Sequence, residues 1–426
     1  MTEQARHGSR KRRGEPIVKR PAPALVIWSY QTPIPRISQQ AVVTQAFYNR
    51  FLLYFTSEGD GKDIQNKASW LHRLPQLSVD GTNDALTLAV QATASSYCAS
   101  ETHDPALHRH ARNLYGQALR QHGRLLARVK AAVCAVTIHM ISTSVLFSIF
   151  EAMQATTAQA YCLHIIGAAK MFEVTDPRQC AEGVLCQLFF HLRTQMAFLT
   201  LSEQRTNINV KKILHDSLDY EDLPIFQRLT TQFTLLADAY NSAAQMTDGY
   251  GNIATESFMT VEEHIAFKTE IDALWKECNE KGEATWYDEA AHRRDFRDIF
   301  TALLVAYFSA AHILLALTTP RFARPSSDHL DHYKRILEAA EHMQTRQIGC
   351  AYMRIAAPLL LVALHATHVE QRNAAVANFE AWKKSTMRGM SELALHTINR
   401  RKQQPEWLTP VAKQGLTGMA SDGVVS

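Results

Sequence analysis

Arg112, Arg120, Arg124 and Arg128 fall at multiples of four along one stretch of chain, the spacing that brings side chains to one face of a helix. Four guanidinium groups in that register make a basic stripe able to meet phosphate or an acidic partner; the same register also describes a solvated outer face. Lys11, Arg12, Arg13, Lys19 and Arg20 form two further basic clusters. They have the form of a nuclear import signal, or of a basic tail with no receptor. His329 and His332, and His365 and His368, stand three apart, so each pair could chelate a metal from one helical face. Neither pair has a Cys or Glu in a recognised third position, so exposed helix-face histidines are the simpler reading, and no metal ligand is assigned.

Catalytic chemistry finds no comparable pattern. An aspartate-rich D-D-x-x-D run, which would serve isoprenoid chemistry on a helical bundle, is not supplied by "LDYEDLP" (218–224). The phosphate loop G-x-x-x-x-G-K-[ST] and the nucleophile elbow G-x-S-x-G are both missing from the sequence. No catalytic or cofactor-binding residue is assigned, and an enzyme is not expected.

The elements that must carry these residues are helices. From Gln40 onward apolar residues recur at three- and four-residue spacing, and no alternating strand-like run bounded by hairpin turns occurs. The expected fold is all-α, a large bundle or stack of antiparallel helical hairpins. The expected helices are 41–55, 83–99, 105–129, 131–153, 157–174, 181–203, 260–278, 288–318, 327–347, 355–367 and 369–390. They belong to one helical domain at 39–402, between a basic, proline-punctuated flexible tail at 1–38 and a flexible tail at 403–426. Two apolar runs, 131–150 and 301–320, approach the length of a membrane span. His139 and His312, with several Ser and Thr, favour central helices of a large core instead.

Hydrophobic residues make up 46% of the 426 and charged residues 20%, which suits a large core and excludes a disordered chain. Residues 1–20 hold seven Lys or Arg against Glu3 and Glu15, so the net charge of +4 resides in the tail and the rest is near −1. Duplex DNA is bound largely by neutralising its phosphates, and a body near neutrality has little general attraction for it. The seven cysteines are scattered through apolar runs, which points to reduced thiols in the cytosol or nucleus. The chain opens on "MTEQARHGSRKRRG" without an apolar signal region.

The stretch "YCLHIIGAAKMFEV" (161–174) places Cys162, Ile165, Ile166, Ala169 and Phe172 on one helical face, and Asp176-Pro177 ends the pattern. Gly167, Ala168 and Ala169 remove side-chain bulk where a second helix could approach, so these three and His164 read as a packing seam. With the following "LFFHLRTQMAFLTLSEQR" (188–205), this stretch resembles the fungal-specific transcription factor domain found behind Zn2Cys6 zinc clusters. Four more pieces are similar to that domain in collinear order: "NKASWLHRLPQLS" (66–78), "ARNLYGQALRQHGRLL" (111–126), "LLVAYFSAAHILLALTTPR" (303–321) and "APLLLVALHATHVEQRNAAVANFEAW" (357–382).

The resemblance spans roughly residues 40 to 400 and implies an all-helical regulatory domain of a nuclear transcriptional regulator, a kind that commonly accompanies biosynthetic gene clusters. The six-cysteine array that holds two zinc ions in such regulators is not found here; Cys180 and Cys186 have no C-x2-C mate. Direct sequence-specific DNA binding is therefore not expected, and action through other transcriptional proteins or a small-molecule ligand is. A helical interaction scaffold with no role in transcription is the alternative.

Overall fold

Side chains that cap backbone groups decide where the helices begin. Asn83 accepts from the Leu86 amide at 3.1 Å, Asp104 from Ala106 at 2.8 Å, Thr137 from Met140 at 3.4 Å and Asp298 from Thr301 at 2.7 Å. Each satisfies a donor that the first turn would otherwise leave unpaired. The computed structural model describes residues 39–56, 70–80, 82–157, 159–175, 183–202, 223–245, 259–280, 285–288, 290, 292–319, 330–346 and 349–402. Lys11, Arg12, Arg13, Lys19, Arg20, Cys180, His329 and both tails lie outside the described residues.

Among the described residues run fourteen helices: α1 (Gln39–Phe55), α2 (Trp70–Ser78), α3 (Asp84–Thr102), α4 (Pro105–Lys130), α5 (Ile138–Gln154), α6 (Ala160–Glu173), α7 (Gly183–Leu201), α8 (Ile225–Gln245), α9 (Val261–Glu280), α10 (Ile299–Thr318), α11 (Leu330–Arg346), α12 (Gly349–His365), α13 (Val369–Lys383) and α14 (Arg388–Lys402). The fold is all-α. Helices adjacent in sequence are largely adjacent in space, α3 on α4, α5 on α6, α10 on α11 and α12 through α14, which is the arrangement of stacked hairpins. Their connections are made by α10, which lies against α8, α9, α11 and α12, and by α5, which meets α3, α6, α7 and α14. Both are buried almost throughout.

Three expected spans need correction, and two helices were not expected. The run 131–153 is not one helix: Ala132 takes a left-handed backbone, φ 55°, and α5 starts only after Thr137. The span 288–318 begins with an antiparallel hairpin, β1 (Thr285–Asp288) paired with β2 (Arg293–Phe296), before Asp298 opens α10. The span 369–390 breaks at 384–387 into α13 and α14, because Ser385 turns its hydroxyl onto the Trp382 carbonyl at 2.8 Å and takes the Met387 amide at 3.2 Å. The unexpected helices are α2, which buries Trp70, Leu71 and Leu74, and α8, which carries Phe226, Leu229, Phe233, Leu236, Ala237 and Tyr240 into the core. Helices α7 and α10 are long and apolar enough to cross a membrane, and both are mostly covered by other helices.

The tightest approach at a described glycine is also elsewhere than expected. Ala168 and Ala169 are fully buried, but a Cβ on Gly167 would meet nothing within 4 Å, so Gly167 is not a contact point of a seam. The tight crossing is α14 on α5, where a Cβ on Gly389 would lie 1.9 Å from the Glu151 carbonyl oxygen and 3.0 Å from Ala152. Those neighbours are backbone and can yield only by moving a helix. Gly389→Ala is expected to lower stability by about 2 kcal/mol, as overpacking does. Gly167→Ala, gaining helix propensity in open space, is expected to raise it by up to about 1 kcal/mol. Denaturant melts of the two variants check both signs.

Candidate anion-binding site

A cleft opens where five helix ends meet. His103 adopts a left-handed conformation, φ 53°, which ends α3 and lets Asp104 and Pro105 start α4 at once. Three residues of the first turns of α4, His108, Arg109 and Arg112, then project to one side of this corner, where Ser100 and Glu101 of α3 also lie. The last residues of α5, Met153 and Gln154, form its floor. Gln154 ties the three helices together: its Oε1 lies 3.2 Å from His108 Nδ1, and its amide donates to Ser100 Oγ at 3.4 Å.

The opposite wall is the turn between α13 and α14. Lys383 and Lys384 end one helix, Ser385 and Thr386 make the turn, and Arg388 begins the next. Beneath them Trp382 is buried against Tyr352 and Phe379, with ring centroids 5.2 and 5.1 Å away. Thr386 donates to the Tyr54 hydroxyl, and Tyr54 stacks on Tyr97 with centroids 4.9 Å apart. Burial pushes the Tyr54 phenol well above its ordinary pKa. Gly349 makes room for that ring; a Cβ there would stand 2.5 Å from Tyr54 Cε1.

The cleft holds about 650 Å³. Five fixed cations line it, Arg109, Arg112, Lys383, Lys384 and Arg388, against one acid, Glu101. Arg388 is paired with Glu392 at 2.6 Å. The other four cations make no ion pair or side-chain hydrogen bond among the described residues. Like charges gathered without counter-ions repel one another, and the arrangement is relieved by a bound anion.

Comparison with known proteins adds a distant likeness. No family model matches the chain, and no solved structure does. An uncharacterized protein of Emericella nidulans is 27% identical over 168 residues, which are 38% of this chain. The match takes in about a third of that relative's length, 34%.

The residues singled out from the sequence fall in different places. Arg112 lines the cleft, whereas Arg120, Arg124 and Arg128 continue along the exposed face of α4 away from it. His164 is largely covered on α6, with its Nε2 2.7 Å from the Tyr115 hydroxyl and its ring 5.1 Å from Phe147. His365 is not an exposed helix-face residue, since its Nε2 lies 2.9 Å from the Tyr240 hydroxyl; His368 precedes α13 as its N-cap. No group of three or more His, Cys, Asp or Glu gathers as for a metal among the described residues. Sequence reading missed Arg109, Lys383, Lys384 and Arg388. The dibasic pair before Ser385 was the only local signal.

Four buried histidines set a pH dependence. Burial lowers His122 and His164 to about 4, and His191 and His365 to about 3. The unfolded chain takes up protons near pH 6.5, where the folded chain does not, so these groups favour folding at neutral pH and disfavour it as pH falls below about 6.5. Each contributes a slope of at most about 1.4 kcal/mol per pH unit. Melting temperature is expected to drop steadily from pH 7 to pH 4.5. His164→Gln, which keeps a partner for Tyr115, is expected to flatten that drop in a pH series of melts.

Proposed function

We propose that this chain is a transcriptional regulatory domain of the helical fungal kind, working through a small ligand in its cleft and through protein partners rather than by reading DNA itself. It is a nuclear protein and not an enzyme. The observation that carries the ligand part is the cleft: four cations without acid partners face one space of about 650 Å³, within the range of small-molecule sites. The transcriptional part is supported by the collinear sequence pieces, whose described portions lie on α2, α4, α6, α7, α10, α12 and α13 of one all-α fold. The body is a poor reader of duplex DNA, because outside the tail its net charge is near −1 and phosphate neutralisation has little to draw on.

The scaffold alternative makes a different forecast in cells. A fluorescently tagged chain is expected to accumulate in the nucleus and to leave it when Lys11, Arg12, Arg13, Lys19 and Arg20 are all replaced by Ala. Tethered to a foreign DNA-binding module, the wild-type chain is expected to change reporter output several-fold. A cytoplasmic distribution whatever the tail, together with a silent reporter, would replace this reading with the scaffold.

A further inference from the structure

We propose that the cleft between the α3–α4 corner and the α13–α14 turn binds a small organic polyphosphate of about nucleotide size. The inference deepens the ligand part of the function proposed above and rests on it there; it stands apart from any role in transcription.

Charge balance selects the ligand class. Arg109 and Arg112 on one wall and Lys383 and Lys384 on the other leave four positive charges unpaired, and Glu101 offsets one of them. A monocarboxylate would leave most of that charge standing. Two or more linked phosphates bring three or four negative charges in a small volume, and their oxygens match the planar fork of arginine as well as the point charge of lysine. The helix starts nearby do not supply the attraction. Asp104 already caps α4, and Ser385 already accepts the Met387 amide at the start of α14. Recognition must come from the side chains.

Room and shape select its size. About 650 Å³ exceeds what inorganic phosphate needs and suits a phosphate chain joined to an organic body. Met153 and the rings of Tyr54 and Tyr352 line the cleft together with the cations, giving that body an apolar surface. The Gln154 bridge to His108 and Ser100 and the Gly389 crossing fix one wall against the other, so the helix ends that carry both cation pairs are set before a ligand arrives.

Isothermal titration at constant ionic strength would use pyrophosphate, adenosine triphosphate, inositol hexakisphosphate and citrate, each against the full chain. Saturable one-to-one binding of at least one polyphosphate is expected, about tenfold or more tighter than citrate. Arg109→Gln with Arg112→Gln, and separately Lys383→Gln with Lys384→Gln, should each weaken it about tenfold or more, as losing charge-assisted contacts does. All four side chains are exposed, so these variants should fold, and circular dichroism checks that. Arg120→Gln with Arg124→Gln, on the outer stripe, should change affinity less than about twofold. A preference for adenosine triphosphate or for inositol hexakisphosphate would tell a nucleotide from a cyclitol source. No saturable binding, equal loss in the stripe variant, or citrate binding as tightly as any polyphosphate would overturn the proposal. Polyphosphate binding with a silent tethered reporter would leave this site standing and remove the transcriptional reading.

Discussion

The contact on which the site depends is backbone against backbone: the first turn of α14 rests on the last turn of α5, with Gly389 over the Glu151 carbonyl. No side chain fits between them. The end of α5 is itself pinned, because the buried Glu151 carboxylate accepts the Thr156 amide at 2.8 Å and the Thr156 hydroxyl, while Ala155 turns left-handed with φ 49°. With α5 ended there, Met153 and Gln154 become the floor of the cleft, and Arg388 and the lysines before it become its wall. A second glycine, Gly349, has a similar effect at one remove, since it admits the Tyr54 ring that Thr386 grips.

Charge works against this geometry. Packing and capping hold Arg109, Arg112, Lys383 and Lys384 around one space, and nothing among the described residues neutralises them. Some surface cations away from the cleft are paired, as in Arg228 with Glu277 at 2.6 Å and Lys268 with Asp272. Even the fully buried Arg193 is engaged, by Gln227 at 3.2 Å, by Thr231 and by the face of Phe189.

Much of the fold was legible in the sequence because it is written locally. Asp104-Pro105 marks the start of α4, Asn83 that of α3, and apolar spacing alone traces α10. The errors arose where one weak local signal had to override a continuous pattern. Ser385 breaks an otherwise helical run with no Gly or Pro before it, and Asp298 opens α10 behind a short β-hairpin that no turn signal of the usual kind announces. Gly167 looked like a close approach because a small residue permits one; only the packing of α6 shows that nothing comes near. The cleft was illegible for a different reason. Its two cation pairs lie near opposite ends of the described chain, and Arg112 alone was noticed, as part of a stripe whose other members point elsewhere. Only the α5–α14 crossing brings the pairs together.

Hydrogen exchange of the full chain with and without adenosine triphosphate, and with and without inositol hexakisphosphate, tests the site most directly, because it reports where a polyphosphate acts. Slower exchange confined to residues 100–112, the end of α5 and the 383–389 turn is the expected result. Protection spread along Arg120 to Arg128, or no protection in the turn between α13 and α14, would contradict an anion site in this cleft.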